Sequence, residues 1–258
     1  MNRHVRALAS LAVFLLVSAQ ANATVVRFET AMGRFDVNLY DRRTPATVAN
    51  FLAYVNGGAY TNVVLHRSVS GFVVQGGAFT FPGSLPLADI VERAAVANEP
   101  LLSNVRGTIA MAKLPGSVNS ATSQWFINMG NNSANLDVQN GGFTVFGEVT
   151  SGGMAVLDAI NTLPTFAAST AIDTLPLRNY TAQDAAAGAP ITAQNLVFAT
   201  TVTVIDGNAD SAAALSPVAN TLLNSNTPPP ASDSGGGGGS TGIVSLLLLG
   251  ALALRRRT

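Results

Sequence analysis

A mainly β fold, a closed antiparallel barrel with two helices, is predicted by three observations on the 258-residue chain. Most apolar runs are short, β-branched or aromatic, and end at Gly, Asn or Pro, as strands do. Only two stretches carry helical periodicity. No region suggests a second core, and closing many strands into a barrel leaves no unpaired edge.

The first element is a hairpin. In Arg34-Phe35-Asp36-Val37-Asn38-Leu39-Tyr40 apolar residues alternate with polar ones, and Met32-Gly33 turns the chain back on Val25-Val26-Arg27-Phe28. Thr44 then offers a cap and Pro45 a first turn for a helix whose Val48, Phe51, Leu52 and Val55 recur at i, i+3, i+4 and i+7, ending at Gly57-Gly58. Strands follow at Val63 to Leu65, Phe72 to Gln75, Thr108 to Ala112, Gln124 to Asn128 and Thr144 to Val149. A second helix is expected from Met154 to about Ile160, with Ser151 as cap and Leu157 inward, and Leu196 to Ile205 supplies the closing strand.

The two ends of the chain read differently from its middle. Arg3 and Arg6 precede the apolar run Leu8 to Val17, and Ala21-Asn22-Ala23 supplies the small-x-small pattern of a secretory cleavage site, so residues 1–23 read as a signal peptide. Residues 24–206 form one domain, long enough to bury roughly 70% of its unfolded surface. Residues 207–241, rich in Ala, Ser, Asn, Pro and Gly, read as a flexible linker. Residues 242–258 carry the 12-residue run Ile243 to Leu254 and three arginines, whereas spanning a bilayer takes about 20 apolar residues. Glycine tract, short Leu-rich run and arginine cluster resemble a GlyGly-type C-terminal sorting tag of Gram-negative bacteria, with a weak tail anchor or a plain tail as the alternative. Export to the periplasm or cell surface is expected, with membrane contact through this segment.

Charge follows the same division. The chain has fourteen basic and fourteen acidic residues, and setting aside Arg3, Arg6 and Arg255 to Arg257 leaves nine basic against fourteen acidic in the middle. A basic nucleic-acid binder is not indicated. With no cysteine, disulfides, thiolate metal sites and a cysteine nucleophile are excluded. Phosphate-cradling, dinucleotide-binding and G-x-S-x-G motifs are absent. His66 is the one histidine after the signal segment, which excludes a multi-histidine metal site and reads as a structural imidazole. Asp89 and Glu92 read as solvated charges, and Trp125 as core. No cofactor, metal or oligomer is indicated.

Four strings carry more: LHRSVSGFVVQGGAFT at 65–80, RGTIAMAK at 106–113, NSATSQWFIN at 119–128 and GGFTVFGEV at 141–149. In this order they resemble the cyclophilin-type peptidyl-prolyl isomerases, and the opening hairpin, the TPATVANFLAYV helix and the closing strand extend the resemblance over 24–206. It implies an eight-stranded antiparallel barrel capped by two helices, a substrate groove on its outer face, and proline-containing polypeptides as partners. Activity in protein folding in the cell envelope is the expectation; a proline-peptide binding module without catalysis, or a chaperone, is the alternative.

The reaction needs no nucleophile. Peptide rotation costs about 18–20 kcal/mol, and before proline both isomers are populated but exchange over tens to hundreds of seconds. In the twisted state the prolyl nitrogen regains its lone pair, so a fixed cationic donor aimed there binds the transition state better than either ground state. By resemblance Arg67 is that donor, with Gln75 holding the substrate backbone or orienting Arg67 and Gln124 supporting. The proline pocket falls on Phe72, Val73, Phe126, Leu136 and, allowing a one-residue offset, Phe143. Ala112 and Lys113 fall where substrate backbone pairs with the groove. From pattern alone, Phe72, Phe126 and Leu136 read as core, Gln75 as a turn residue and Arg67 as a surface charge; the resemblance is what reverses this. Asn135 stands where many family members have tryptophan, which implies weak cyclosporin binding. Lys113 stands in place of a common asparagine, which implies a tuned substrate preference.

Overall fold

A computed structural model describes residues 24–150, 152–207 and 215–223. The signal segment 1–23, the Ser151 cap and the sorting segment 242–258 lie outside the described residues.

The hairpin forms as expected from β1 (Val25–Thr30) and β2 (Gly33–Leu39), paired so that Phe28 faces Phe35. Helix α1 (Pro45–Asn56) follows. Thr44 occupies the cap position, but its hydroxyl makes no cap bond. The Glu99 carboxylate does that work, accepting from the amides of Ala46 (3.3 Å) and Thr47 (2.9 Å) and from the Thr47 hydroxyl (2.7 Å). A carboxylate at this end also complements the helix dipole. Val48, Phe51, Tyr54 and Val55 are buried, whereas Leu52, expected inward, is half-buried.

Short strands come next: β3 (Val63–Val64), β4 (Arg67–Val69), β5 (Val73–Gly76), β6 (Phe79–Thr80), β7 (Ala88–Asp89), β8 (Thr108–Met111) and β9 (Trp125–Asn128). The single-turn helix α2 (Ser133–Leu136) and a 3-10 turn at Gln139–Gly141 lead to β10 (Val145–Val149) and helix α3 (Gly153–Asn161). Gly152, with φ +91°, precedes α3, and Leu157 and Ile160 turn inward. A small hairpin of β11 (Thr165–Phe166) and β12 (Leu175–Pro176), helix α4 (Ala182–Ala186) and the long β13 (Phe198–Asp206) complete the domain.

Strand pairing corrects the expected count of eight. One curled antiparallel sheet has eleven strands in the order β4-β5-β9-β8-β10-β2-β1-β13-β3-β6-β7. The expected runs included Val63 to Leu65 but not β4, nor β6 and β7, which are two residues each. Between β3 and β4 lie only Leu65 and His66, whose amides donate to the carbonyls of Val197 (2.9 Å) and Gln75 (3.0 Å).

Side chains along each strand alternate between faces, and here both faces are apolar. Val74, Ile109, Met111, Trp125, Ile127 and Phe146 join β1, β2, α1 and α3 in the main core. Their neighbours Val73, Ala110, Ala112, Phe126 and Val145 form a second cluster with Tyr40, Leu102, Leu136 and Phe143 on the other face.

Of the stretch read as a linker over 207–241, residues 207 and 215–223 are described. At 215–223 the chain docks on the domain: the Ser103 amide donates to Val218 (2.8 Å), the Asn220 amide to Leu101 (2.9 Å), and Leu102 bridges Ala219. The Asn220 side chain adds bonds to the carbonyls of Pro100 (3.2 Å) and Asp137 (2.9 Å), and Leu215 packs against the second cluster.

Candidate active site

Register builds the site. Arg67 on β4 lies opposite Gln75 on β5, Gln75 opposite Phe126 on β9, Phe126 opposite Ala110 on β8, and Ala110 opposite Val145 on β10. Directly opposed residues share a face, and adjacent strands are about 4.8 Å apart. One straight row therefore runs from a cation, through an amide, to an apolar floor.

The polar end of the row is buried, with Arg67 3% and Gln75 1% exposed. Arg67 Nε, Nη1 and Nη2 have no hydrogen-bond partner, and neither has Gln75 Oε1. Burial pushes the Arg67 guanidinium down to about 10, opposed by the negative charge of Asp173, so it remains a cation at neutral pH. Gln75 Nε2 donates to Gln124 Oε1 at 3.0 Å, so the amide of Gln75 is oriented by Gln124 and Arg67 is left uncommitted. Leaving such donors buried and unpaired is costly, which is the mark of a group waiting for an acceptor.

The apolar end brings together all five expected pocket residues. Phe72, Val73, Phe126, Leu136 and Phe143 lie in the second cluster with Ala112, and the rings of Phe126 and Phe143 meet edge to face at 5.9 Å. The Lys113 side chain turns to the neighbouring turn: its ammonium donates to the carbonyls of Asn140 (2.7 Å) and Gly142 (2.6 Å) and lies 4.9 Å from the centre of the Phe143 ring. Burial pushes this amine down to about 8.

Buried amides hold the pocket backbone, and sequence reading passed over them. Asn104 Nδ2 donates to the Phe143 carbonyl (3.1 Å) and to Asp137 Oδ1 (3.0 Å), and Asp137 also accepts from the Asn104 amide (2.7 Å) and the Ser103 hydroxyl (2.6 Å). Asn132 Nδ2 donates to the Phe72 carbonyl (2.9 Å) and to Asn128 Oδ1 (2.7 Å). The available signal was the density of Asn in 128–140, which pattern alone reads as turns.

His66, next to Arg67, is fully buried, sits edge-on to Phe79 at 4.9 Å, and has no partner at either ring nitrogen. Burial drops it to about 3, so it stays neutral and takes no part in a triad. Among the described residues, no group of three or more His, Asp or Glu could hold a metal ion.

Residues 25–182 match the sequence profile of the cyclophilin type peptidyl-prolyl cis-trans isomerase/CLD family. The chain belongs to the cyclophilin-type peptidyl-prolyl cis-trans isomerases. Curated relatives agree: a peptidyl-prolyl cis-trans isomerase of Acinetobacter baylyi is 38% identical over 155 residues, 58% of this chain and 79% of the relative. Peptidyl-prolyl cis-trans isomerase B of Escherichia coli is 39% identical over 145 residues, 55% of this chain and 86% of the relative. A crystal structure of a Cryptosporidium parvum cyclophilin type isomerase matches with a TM-score of 0.51 at 21% identity, over 71% of this chain and 98% of that one, which supports the fold alone. The cyclophilin chemistry is isomerisation of the bond before proline, and the row from Arg67 to Phe126 is the candidate place for it.

Proposed function

We propose that this isomerase twists the Xaa-Pro bond of polypeptides in the row described, with the proline ring on Phe126, Leu136 and Phe143 and the guanidinium of Arg67 at the prolyl nitrogen. The observation that carries this reading is the buried Arg67, its three nitrogens unpartnered, two strands from the Phe126 ring. As the bond twists, the prolyl nitrogen becomes an acceptor and Arg67 donates to it, a hydrogen bond that neither planar isomer offers. No proton is transferred and no covalent bond forms or breaks. Gln75, held by Gln124, presents its free Oε1 to the substrate backbone, while Phe72, Val73 and Ala112 line the apolar side.

Arg67→Ala tests it. Removing one preorganised donor from the reacting atom is expected to lower kcat/KM by about a hundredfold to a thousandfold, with the fold retained by circular dichroism. Undiminished exchange of an Xaa-Pro peptide by NMR would overturn the assignment.

Two further readings accompany it. The curled eleven-stranded sheet works as a barrel over 24–206, supported by the two-residue join of β3 and β4 whose amides bond to both flanks. The enzyme acts on envelope or secreted proteins after export, supported by the signal-like and sorting-like ends of the sequence. Intact mass of the protein from cell fractions tests the latter: a chain retaining Met1 in the cytoplasm would sink it.

A further inference from the structure

The chain between the 3-10 turn and β10 has an uncommon backbone. Asn140, Gly141 and Gly142 take φ of +50°, +73° and +73° in succession. A side chain on Gly142 would press on the Asp137 carbonyl at 2.8 Å. Such a left-handed run persists only where its surroundings hold it. Three side chains do so. Asn98 Nδ2 donates to the carbonyls of Gly141 (2.8 Å) and Gly142 (2.9 Å). Asn140 Nδ2 reaches back to the Leu114 carbonyl (2.9 Å). Lys113 supplies the only formal charge, shared between the Asn140 and Gly142 carbonyls.

That use of a lysine is specific. Its head is a compact, strongly hydrated ion with three donors, yet here it is 5% exposed and bonded to main-chain carbonyls rather than to a carboxylate. The residue it leads to is Phe143, whose ring lies under the ammonium and against Phe126. Main-chain bonds tie the same stretch to the rest of the pocket, since the Phe143 amide donates to the Leu136 carbonyl at 2.8 Å.

We propose that Lys113 is a positioning residue of the isomerase: its ammonium clamps the 140–142 turn and so sets the Phe143 wall of the proline pocket. The inference rests on the reading of that cluster as the proline subsite. It assigns Lys113 a role through its side chain, away from the peptide, where the sequence had suggested contact through its backbone. Binding of the proline ring depends on the wall, whereas the twisting step depends on Arg67, so the two residues should separate in kinetics.

Lys113→Met, Lys113→Arg and Arg67→Ala, compared in the full chain by NMR line-shape analysis of an Xaa-Pro peptide, test this. Losing charge-assisted hydrogen bonds should raise KM for Lys113→Met about tenfold with kcat nearly kept, and Lys113→Arg should recover much of the affinity. Amide signals of Asn140, Gly141 and Gly142 should shift in Lys113→Met, with that of Ile127 on the opposite face unchanged. An unaltered KM in Lys113→Met beside an inactive Arg67→Ala overturns the inference and spares the site. Loss of kcat with displacement of the Ile127 signal also overturns it, because Lys113 would then serve only the fold. Full activity in Arg67→Ala overturns the reading of the site and the inference with it.

Discussion

On one face of the sheet Phe28 stacks on Phe35 at 4.7 Å and meets Trp125 edge-on at 5.1 Å, and Phe51 touches both Tyr60 and Phe146 within 5.4 Å. On the other face Phe126 meets Phe143 at 5.9 Å, and its neighbour across the strand is the amide of Gln75. Trp125 and Phe126 are consecutive, equally buried and on the same strand. Yet the first packs edge-on to Phe28 within the main core, while the second belongs to a row that ends in the unpartnered guanidinium of Arg67. Close packing is what stabilises a fold, whereas a row with uncommitted polar groups trades stability for binding. The two faces of β9 divide those tasks.

The sharpest way to break that division is to substitute the two neighbours in parallel. Trp125→Ala should cost about 3–5 kcal/mol of unfolding free energy, the range for emptying a large aromatic site, and its residual folded fraction should keep normal KM. Phe126→Leu, which nearly conserves volume, should cost less than about 1.5 kcal/mol but lower kcat/KM by about tenfold, through KM, as one pocket contact is lost. Denaturant titration alongside peptide exchange measures both. Equal stability losses with equal kinetics in the two variants would erase the distinction between the faces.

A smaller effect separates another consecutive pair, His66 and Arg67. The folded protein keeps His66 neutral down to about pH 3, while an unfolded chain takes up its proton near the ordinary value of about 6.5. Between those values the unfolded state binds more protons, so stability falls as pH falls from about 6.5, by at most about 1.4 kcal/mol per pH unit. Asp36, held below the usual carboxylate range by its bonds with Arg27, and Asp184, held there by Thr181, add the same sign of dependence at lower pH. The window from about 6 to 4.5 is therefore where His66 dominates. Urea midpoints across that window should slope in the wild type and flatten in His66→Leu. A wild-type midpoint that stays level there would show that the imidazole titrates freely.

How much of this was legible in the sequence follows how local each signal is. The β1–β2 hairpin, α1 and β9 rest on alternation, periodicity and Gly or Pro punctuation, which act within a few residues. Their bounds agree with the structure to within a residue or two. The gathering of Phe72, Val73, Phe126, Leu136 and Phe143 was legible only through family resemblance, since pattern read them as ordinary core. What escaped was long-range. Glu99 caps α1 from more than fifty residues away. Lys113 and Asn98 hold a turn that neither adjoins in sequence. Strands of two residues, such as β6 and β7, are too short to show alternation and exist because a neighbouring strand offers them bonds.

The docked segment at 215–223 gives the mildest test of the comparison, because it extends the functional face and has no counterpart on the inner one. Its composition, Leu-Ser-Pro-Val-Ala-Asn, resembles a linker, and what holds it is a few bonds to 101–103, the forked amide of Asn220, and Leu215. So few contacts must offset the ordering of several residues, so the segment should open locally without unfolding the sheet. In native-state hydrogen exchange, the amides of Ser103 and Asn220 should be protected at least about 2 kcal/mol less than that of Ile127, which lies between β5 and β8. A chain ending at 206 should then leave the Ile127 protection almost unchanged. Exchange of all three amides at one rate, by the same global unfolding, would instead make the segment part of the domain core, move the domain boundary from 206 to at least 223, and tie the outer face to the inner one as a single cooperative unit.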